Sequence, residues 1–239
     1  DFDGDGRADV VAGSPYWGGY PNPGAAYVFA SSQLVDGASL TEGDALTTIR
    51  SDAGHPQGFG QAMDLSGDLD GNGLADLLVG AQGQGVVSSL SGGAYVFLDA
   101  TLAAGGTLDL DDADYYLPGD APAGYVGSEV SWIADLDGDG GSEVLVSSWA
   151  DPTGGNNAGR VWLLLSSDLL VDSDGVVPLA DAHATVDGNQ GHLLGQRVAD
   201  AGDLDCDGLP ELLASGRGVA GPGAAMVMSG AKLLVGGAL

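Results

Sequence analysis

The feature that most constrains the fold is a nine-residue acidic motif that occurs four times at an almost constant spacing. Its copies read DFDGDGRAD at 1–9, DLDGNGLAD at 68–76, DLDGDGGSE at 135–143 and DLDCDGLPE at 203–211. Successive copies start 67, 67 and 68 residues apart. A fixed period of this length predicts a tandem array of similar structural units. We call the four segments the acidic loops and number their positions from 1 to 9.

Short apolar runs recur at fixed places around each acidic loop. One run precedes the loop, as in FGQAMDLSGD at 59–68, and a second follows it, as in ADLLVGA at 75–81. A third run, such as GGAYVF at 92–97, comes after a Gly-rich stretch, and a weaker fourth, such as DYYLPG at 114–119, closes the unit. These runs are short, rich in Val, Tyr and Leu, and bounded by turn-forming residues, so each predicts a strand.

Four strands in each unit of about 67 residues are typical of the antiparallel sheets of a β-propeller. We therefore expect an all-β fold and a single propeller region over 1–239, with units starting near 1, 68, 135 and 203. The first and last units are incomplete, which predicts 14 strands and neighbouring blades, or a closing strand, outside this sequence. A two-layer β-sandwich is the alternative, although it does not require a constant period. A solenoid of parallel strands is a further alternative, with repeats that are usually shorter.

Composition excludes several classes of partner. The chain has 34 acidic residues, six basic residues and a net charge of −28, which argues against nucleic acid and anionic membranes as partners. No apolar run approaches the length of a membrane span, so we expect no membrane insertion in this segment. The single cysteine, Cys206, either replaces the glycine found at position 4 of the other loops or pairs with a cysteine outside this sequence. Nothing in the sequence indicates an oligomeric state.

The acidic loops have the residue types of an oxygen-ligand metal site. Positions 1, 3 and 5 hold Asp or Asn, position 9 holds Asp or Glu, and position 6 is always Gly. Position 7 varies, which suits a residue that contributes only its backbone carbonyl, as position 7 does in an EF-hand loop. The candidate ligands are Asp1, Asp3, Asp5, Arg7 and Asp9; Asp68, Asp70, Asn72, Leu74 and Asp76; Asp135, Asp137, Asp139, Gly141 and Glu143; and Asp203, Asp205, Asp207, Leu209 and Glu211.

Electrostatics favour a bound cation over an empty acidic turn. Two carboxylates about 4.5 Å apart repel each other by roughly 3–4 kcal/mol at an effective dielectric constant near 20. A donor set of hard oxygens without His or Cys suits Ca²⁺ best and Mg²⁺ second. An EF-hand is excluded because its position 12 requires Glu, whereas the corresponding residues here are Ala12, Val79, Val146 and Ala214. We therefore expect about four Ca²⁺ sites.

The repeat resembles the FG-GAP family. The residues that carry the resemblance are Gly58, Phe59 and Gly60, the acidic loop 68–76, LLVGAQ at 77–82 and GGAYVF at 92–97. Later units depart locally, with Val126–Gly127 and Leu194–Gly195 in place of the FG pair. The resemblance implies a larger, seven-bladed, integrin alpha-subunit-like calcium-binding propeller. It also implies a secreted or cell-surface location and recognition of an extracellular protein or glycan, or cell adhesion, on the loops opposite the acidic loops.

Strand order gives the same opposite face independently, because successive hairpins of an up-and-down sheet alternate between its two ends. If the acidic loops join strands one and two, the connections two–three and four–one lie together at the other end. These connections carry an aromatic-rich set of candidate ligand contacts, namely Tyr16, Trp17, Tyr20, His55 and Trp149. Packing of these side chains against the sheets is the alternative.

No constellation of catalytic residues is evident. The chain has three histidines and no serine or cysteine in the setting of a nucleophile elbow, so we predict a binding module rather than an enzyme. The alternative function is the propeller part of a secreted polysaccharide-active enzyme. The segment DSDG at 172–175 lacks the remaining ligand positions and is predicted to be a turn.

Overall fold

The apolar runs form strands in the computed structural model, which describes residues 1–17, 23–37, 39–51, 58–83, 91–120, 124–219 and 222–239. Sixteen strands are present in this part of the chain. In chain order they are β1 (Val10–Ser14), β2 (Ala25–Phe29), β3 (Thr47–Arg50), β4 (Ala62–Gly67), β5 (Asp76–Gly80), β6 (Gly93–Phe97), β7 (Gly106–Leu108), β8 (Tyr115–Pro118), β9 (Val130–Ile133), β10 (Glu143–Ser148), β11 (Arg160–Leu164), β12 (Ala184–Asp187), β13 (Arg197–Asp200), β14 (Leu212–Gly216), β15 (Ala224–Met228) and β16 (Gly237–Ala238). The helices are short and were not predicted; they are α1 (Asp99–Ala103), α2 (Ser166–Leu170) and α3 (Gly230–Val235), with 3₁₀ turns at Ser31–Gln33, Glu42–Asp44, Leu110–Asp112 and Leu179–Asp181.

Each unit of the repeat forms one antiparallel sheet. The second unit has the order β4-β5-β6-β8 and the third has β9-β10-β11-β12, while the first and fourth contribute β1-β2-β3 and β13-β14-β15. These are the 14 predicted strands, so the all-β class with propeller-like sheets is confirmed. Among the described residues, no strand pairing closes the four sheets into a ring.

The two remaining strands connect neighbouring units. β7 of the second unit pairs in parallel with β3 of the first, and β16 of the fourth unit pairs in parallel with β12 of the third. At the corresponding place in the third unit, Val176 forms an isolated parallel bridge with Tyr116 of β8. The segment that follows each third strand therefore covers the outer edge of the preceding sheet, where backbone groups would otherwise lack partners.

The apolar core is divided among the interfaces between adjacent sheets. In β5, Leu77 and Val79 pack towards the first unit, whereas Leu78 packs towards the third. In β10, Val144 packs towards the second unit and Leu145 towards the fourth. Alternate residues of a strand point to opposite faces, so a sheet covered on both sides needs apolar residues at consecutive positions. This explains the uninterrupted apolar runs of the second and third units.

A close backbone approach explains the glycine at the start of the third strand. Gly92 forms a parallel bridge with Val126 of the next unit and has a φ of 77°. A Cβ atom on Gly92 would lie 2.1 Å from the carbonyl oxygen of Val126, so no other residue fits without movement of the backbone. The same bridge joins Gly24 to Phe59 and Gly159 to Leu194.

The first strands of neighbouring sheets lie side by side. Between β4 and β9, the carboxylate of Asp64 accepts the backbone N–H of Trp132 at 3.0 Å. In the second and third units the first strand lies at one edge of the antiparallel sheet and the fourth strand at the opposite edge. This is the arrangement of propeller blades around an axis. In the described part of the chain, none of the helices has the length and apolar character needed to cross a bilayer.

Candidate functional site

The four acidic loops occupy equivalent places in the sheets. Loop 68–76 joins β4 to β5, loop 135–143 joins β9 to β10, and loop 203–211 joins β13 to β14. Loop 1–9 leads into β1, which is the second strand of the first sheet. The acidic loops therefore connect strands one and two of a sheet, as the repeat predicts.

The carboxylate at position 1 organises the turn of each acidic loop. Asp68 accepts the backbone N–H of Asn72 at 3.0 Å through Oδ1 and that of Gly73 at 2.7 Å through Oδ2. The carboxylates of Asp1, Asp135 and Asp203 each accept two backbone N–H groups three to five residues further along the chain. Each loop is therefore wrapped around its first carboxylate.

The side chains at positions 3 and 5 form Asx turns in every loop. Asp70 Oδ1 accepts the N–H of Asn72 at 3.2 Å, and Asn72 Oδ1 accepts the N–H of Leu74 at 2.7 Å. The other loops repeat both bonds. Position 7 thus takes part through its backbone, which explains why Arg7, Leu74, Gly141 and Leu209 have no shared side-chain chemistry. A ligand role for their carbonyl groups stays a prediction.

Position 4 has a left-handed backbone conformation in every loop. The φ angles of Gly4, Gly71 and Gly138 lie between 71° and 83°, and Cys206 adopts a φ of 66° at the same position. A residue with a side chain is disfavoured in this region because its Cβ crowds the following carbonyl oxygen. The thiol of Cys206 is exposed and has no disulfide partner in the described residues. Cys206 therefore occupies a glycine position under backbone strain.

Substitution of this cysteine by glycine is expected to stabilise the protein. The left-handed conformation costs a non-glycine residue roughly 1–2 kcal/mol, whereas glycine adds about 0.5–1 kcal/mol of unfolded-state entropy. We expect Cys206→Gly to raise the free energy of unfolding by about 0.5–1 kcal/mol, measured by urea denaturation under reducing conditions. The matched control is Gly138→Cys, where a Cβ would meet no atom within 4 Å. Its expected loss of stability therefore measures the strain of a side chain on a left-handed backbone, without a steric clash. A loss of stability in Cys206→Gly would contradict the assignment of strain.

The carboxylate at position 9 is buried and bridges two parts of the unit. Asp76 has no exposed surface; its Oδ2 accepts the N–H of Leu69 at 2.7 Å and its Oδ1 accepts the N–H of Asp99 at 2.8 Å. Glu143 likewise accepts from Leu136 at 2.8 Å and from Ser166 at 3.0 Å. Asp9 and Glu211 make the corresponding pairs of bonds. Position 9 therefore ties the acidic loop to the residue that follows the third strand.

Position 5 makes a second connection to the same place in three units. The hydroxyl of Ser31 donates to Asp5 at 2.7 Å, and the hydroxyl of Ser166 donates to Asp139 at 2.7 Å. In the second loop the direction of the hydrogen bond is reversed, because the loop residue donates: Asn72 Nδ2 donates to Asp99 Oδ1 at 2.8 Å. The fourth unit has Gly230 at this place and thus no side chain to offer. No sequence pattern indicates this contact, because the partner residues differ in chemistry.

Each acidic loop brings at least three carboxylates together. In each group, one ligand oxygen per residue lies within 4.8 Å of the others. The groups are Asp1, Asp3 and Asp5; Asp68, Asp70 and Asp76; Asp135, Asp137 and Glu143; and Asp203, Asp205 and Glu211. The structure thus gathers positions 1 and 3 in every loop, with position 9 in three loops and position 5 in one. The donor set is entirely oxygen and could hold a hard divalent cation.

Burial within two of the loops opposes the ionised form of the position 9 acid. Burial raises the pKa of Asp76 to about 7, and the nearby charges of Asp70 and Asp99 act in the same direction. Burial likewise raises the pKa of Glu143 to about 7, against the hydrogen bonds from Leu136 and Ser166. These carboxylates are therefore difficult to keep charged without a nearby positive charge.

Neighbouring acidic loops are hydrogen-bonded to each other. The N–H of Ala75 donates to the carbonyl of Asp1 at 3.0 Å, and the N–H of Ser142 donates to the carbonyl of Asp68 at 2.6 Å. Both donors occupy position 8 of their loops. Position 8 of the fourth loop is Pro210, which has no N–H, so this bond cannot form between the third and fourth loops.

The opposite face contains a cavity of about 680 Å³ that is lined by three units. Each unit contributes the residue after the FG-type pair and the first or second residue after the second strand. The side chains at these two positions are Gln61 and Gln82 from the second unit, Ser128 and Trp149 from the third, and Gln196 and Arg217 from the fourth; Arg197, Ser215 and Gly216 of the fourth unit complete the lining. We call this cavity the three-unit pocket. Its lining confirms that connections two–three and four–one meet on one face, although of these residues only Trp149 was a predicted ligand contact.

The other predicted aromatic contacts have different settings. The side chain of Tyr16 is 73% exposed. Trp17 packs against the outer face of the first sheet, with the guanidinium of Arg50 4.6 Å from its ring centroid. Packing thus accounts for Trp17, whereas Tyr16 is accessible. Tyr20 and His55 lie outside the described residues.

Comparison with known families supports the resemblance. Residues 1–29, which comprise the first acidic loop and strands β1 and β2, match the sequence profile of the FG-GAP repeat. A comparison with curated proteins found no significant match.

Proposed function

We propose that this FG-GAP-containing chain is a calcium-stabilised β-propeller module that recognises an extracellular ligand. The observation that carries the proposal is the geometry of the four acidic loops, each of which places three carboxylates, always including positions 1 and 3, within 4.8 Å of one another. FG-GAP domains are typically extracellular, so we propose a secreted or cell-surface location for the parent protein. We also propose that the four units belong to the larger, seven-bladed propeller that the resemblance implies.

Calcium fits the donor set for three reasons. Every side-chain donor at positions 1, 3, 5 and 9 is a carboxylate or amide oxygen, and the loops contain no His ligand. Ca²⁺ accepts six to eight oxygen ligands in irregular geometry, whereas Mg²⁺ requires a near-ideal octahedron and retains its waters. A divalent cation also offsets the repulsion among carboxylates that lie within 4.8 Å of one another. The residues present therefore fit Ca²⁺ better than any thiolate- or imidazole-preferring metal.

The proposed role of calcium is structural. The position 9 carboxylate is bonded to the loop and to the residue after the third strand, so an ion at the loop would strengthen a connection among three strands. The position 1 and position 3 carboxylates are held by backbone N–H groups, which orders them before an ion binds. We propose no catalytic role for the loops, and activity against a panel of polysaccharides would contradict the assignment as a binding module.

The number of bound ions tests the proposal. We expect the purified protein to bind about four Ca²⁺ by isothermal titration calorimetry, one for each acidic loop. Asp137→Ala removes an exposed carboxylate of the third loop and should remove one ion while leaving the other sites intact. The control is Asp172→Ala in the turn 172–175, which has Asx bonds but only two acids. A wild-type protein that binds no Ca²⁺ at millimolar concentrations would refute the proposal.

The pH dependence of stability should reverse when calcium is bound. Without metal, Asp76 and Glu143 have a folded-state pKa of about 7, above their ordinary values of 3.8 and 4.5. The folded state then binds more protons than the unfolded state between about pH 4 and 7, so stability falls as pH rises through this range. With calcium, protons compete with the ion, and stability should rise with pH instead. Thermal melts between pH 5 and 8, with and without calcium, check both signs.

A matched variant assigns the metal-free slope. Glu143→Gln removes one of the two titrating groups and should flatten the fall in melting temperature between pH 5 and 8. Asp174→Asn, at an exposed position in the turn 172–175, removes a carboxylate that does not act on the pKa of Asp76 or Glu143 and should leave this slope unchanged. A metal-free protein whose stability rises steadily over this range would contradict the expected titration.

A further inference from the structure

We propose that the three-unit pocket binds a saccharide that carries a carboxylate group, such as a uronate; this inference rests on the proposed recognition function of the opposite face. The cavity volume of about 680 Å³ lies within the range of small-ligand sites, which is roughly 300–1,000 Å³. Its lining is dominated by polar side chains, so the complementary ligand is polar as well. The nature of that ligand follows from the charge, the amides and the aromatic wall of the pocket.

The backbone that presents these side chains is the same in all three units, but the side chains differ. In the second unit, Gln82 Nε2 donates to Gln61 Oε1 at 2.5 Å. In the third, the backbone N–H of Trp149 donates to the Ser128 hydroxyl at 3.4 Å, and in the fourth the backbone N–H of Arg217 donates to Gln196 Oε1 at 3.3 Å. Each unit thus links its two pocket positions by a hydrogen bond. The acidic loops, in contrast, repeat their chemistry in every unit, so the pocket is where the units have diverged.

Positive charge is scarce in this protein, and the pocket contains a large share of it. The chain has six basic residues and a net charge of −28. Two of the six, Arg197 and Arg217, line the pocket. Arg197 forms an ion pair with Glu129 at 2.8 Å, whereas Arg217 is exposed and has no ion pair among the described residues. A guanidinium binds a carboxylate through two parallel hydrogen bonds, so Arg217 is the anchor for an anionic group.

The surrounding charge limits how much negative charge the ligand can carry. A phosphate or a polyanion would be repelled by the acidic surface of the protein, and this repulsion increases with ligand charge. A single carboxylate gains the bond to Arg217 at the smallest electrostatic cost. The three glutamine amides and the hydroxyl of Ser128 both donate and accept hydrogen bonds, which matches the sugar hydroxyl group, itself a donor and an acceptor.

The aromatic wall of the pocket is held in place by a strained residue. Trp149 is half-buried and stacks on Tyr125, with ring centroids 4.9 Å apart and an interplanar angle of 22°. Tyr125 has a φ of 50°, in the left-handed region. The same backbone position is Gly58 in the second unit and the buried Leu193 in the fourth. Tyr125 is half-buried, and its stacking contact holds the indole of Trp149 beside the pocket.

An aromatic wall next to amides, with Arg217 as the arginine that has no ion pair among the described residues, is suited to a sugar ring. The C–H groups on one face of a pyranose form an apolar surface that packs against an indole, while the ring hydroxyls point outward to polar partners. A peptide carboxylate would also pair with Arg217, but an extended peptide lacks the flat face of C–H groups that a pyranose presents to the indole of Trp149. The pocket therefore favours an acidic saccharide over an acidic peptide.

The test compares sugars that differ only in the carboxylate. Calcium-loaded protein is titrated with methyl glucuronide and methyl glucoside, and with methyl galacturonide and methyl galactoside, using tryptophan fluorescence and the indole N–H signals in NMR spectra. At least one uronide should bind, roughly tenfold or more tightly than its neutral partner. Arg217→Gln should remove this preference. Lys232→Gln removes the same charge from an exposed position in α3 and should not alter binding.

A second pair of variants separates stacking from folding. Trp149→Ala should weaken uronide binding roughly tenfold, whereas Trp149→Phe should retain part of the affinity because an aromatic face remains. Unchanged thermal melts of both Arg217→Gln and Trp149→Phe would show that the pocket variants are folded. Uronide binding that persists in Arg217→Gln at wild-type affinity would overturn the proposal.

The possible outcomes distinguish this inference from the proposed function. Equal binding of the uronide and its neutral partner would overturn the role of the carboxylate. Binding of a peptide with a free C-terminal carboxylate, but of no uronide, would overturn the saccharide assignment. If no uronide binds at millimolar concentrations while the same sample binds four Ca²⁺, the pocket inference fails and the calcium proposal stands. If calcium binding itself is absent, the proposed function fails.

Discussion

Removal of calcium is expected to lower the melting temperature of the protein by roughly 20–40 °C. A ligand that binds only the folded state adds about 2.7 kcal/mol per site when its concentration is 100 times the dissociation constant. Four such sites sum to on the order of 11 kcal/mol. For a domain of this size each kcal/mol corresponds to about 2–4 °C. Differential scanning calorimetry of the protein in calcium and in EGTA measures the difference directly.

Two controls make this expectation specific. Addition of excess calcium to the EGTA sample should restore the melting temperature, and magnesium at the same concentration should restore much less of it. A variant in which Asp3, Asp70, Asp137 and Asp205 are all changed to Asn should melt at the same temperature in both conditions. Identical melts of the wild-type protein with calcium and with EGTA would contradict a structural role for the ion.

Loss of the position 9 carboxylate is expected to destabilise the protein even when no calcium is present. Glu143 is fully buried and accepts the N–H groups of Leu136 and Ser166. Glu143→Ala would leave both donors without a partner, at a cost of about 1–3 kcal/mol each. We therefore expect a loss of on the order of 3–4 kcal/mol in the free energy of unfolding, measured by chemical denaturation in EGTA.

The matched control for this prediction lies in the same loop. Asp137 at position 3 is exposed and makes a single Asx bond to Asp139, so Asp137→Ala should have little effect in EGTA. In calcium, both variants should be destabilised, because each has lost a candidate ligand. If Glu143→Ala is as stable as the wild-type protein in EGTA, the carboxylate acts only through the ion and its bridging role is refuted.

The strands could be predicted from sequence because each carries its own local signal. The run EVLVSS at 143–148 is bounded by turn residues and, after Glu143, consists of apolar and small side chains, and it forms β10 with the same bounds. Strands β7 and β16 have no such signal, since GTL and GA are short and rich in glycine. They are strands only because the preceding sheet offers an unpaired edge, which is a tertiary effect.

The candidate site could be predicted only in part, for a related reason. The acids of the loops repeat in sequence, so their clustering was foreseeable. The bridge from position 9 was not, because its second partner is a backbone N–H whose residue is Ser31, Asp99, Ser166 or Gly230. The three-unit pocket was missed because its members share a position but not a chemistry. An internal alignment at Gln82, Trp149 and Arg217 would have shown where the units diverge.

The aromatic criterion used for the opposite face was correspondingly incomplete. It selects large rings and so includes Trp149 of the three-unit pocket, but it gives no weight to a glutamine or to an arginine without an ion pair among the described residues. Those residues gain significance only when folding places three units around one cavity. It also selected Trp17, whose packing against the first sheet and Arg50 explains its presence without a ligand.

The parallel pairing of β7 with β3 and of β16 with β12 means that the sheet of one repeat depends on a strand of the next repeat to pair its outer edge. A cut at the end of a repeat would remove the outermost strand from the sheet before it, so the damage from a truncation appears in the unit that was left intact. Duplication of a repeat during evolution must likewise carry an edge strand that serves its neighbour. The sequence repeat and the group of strands that makes up one complete sheet therefore differ by this edge strand.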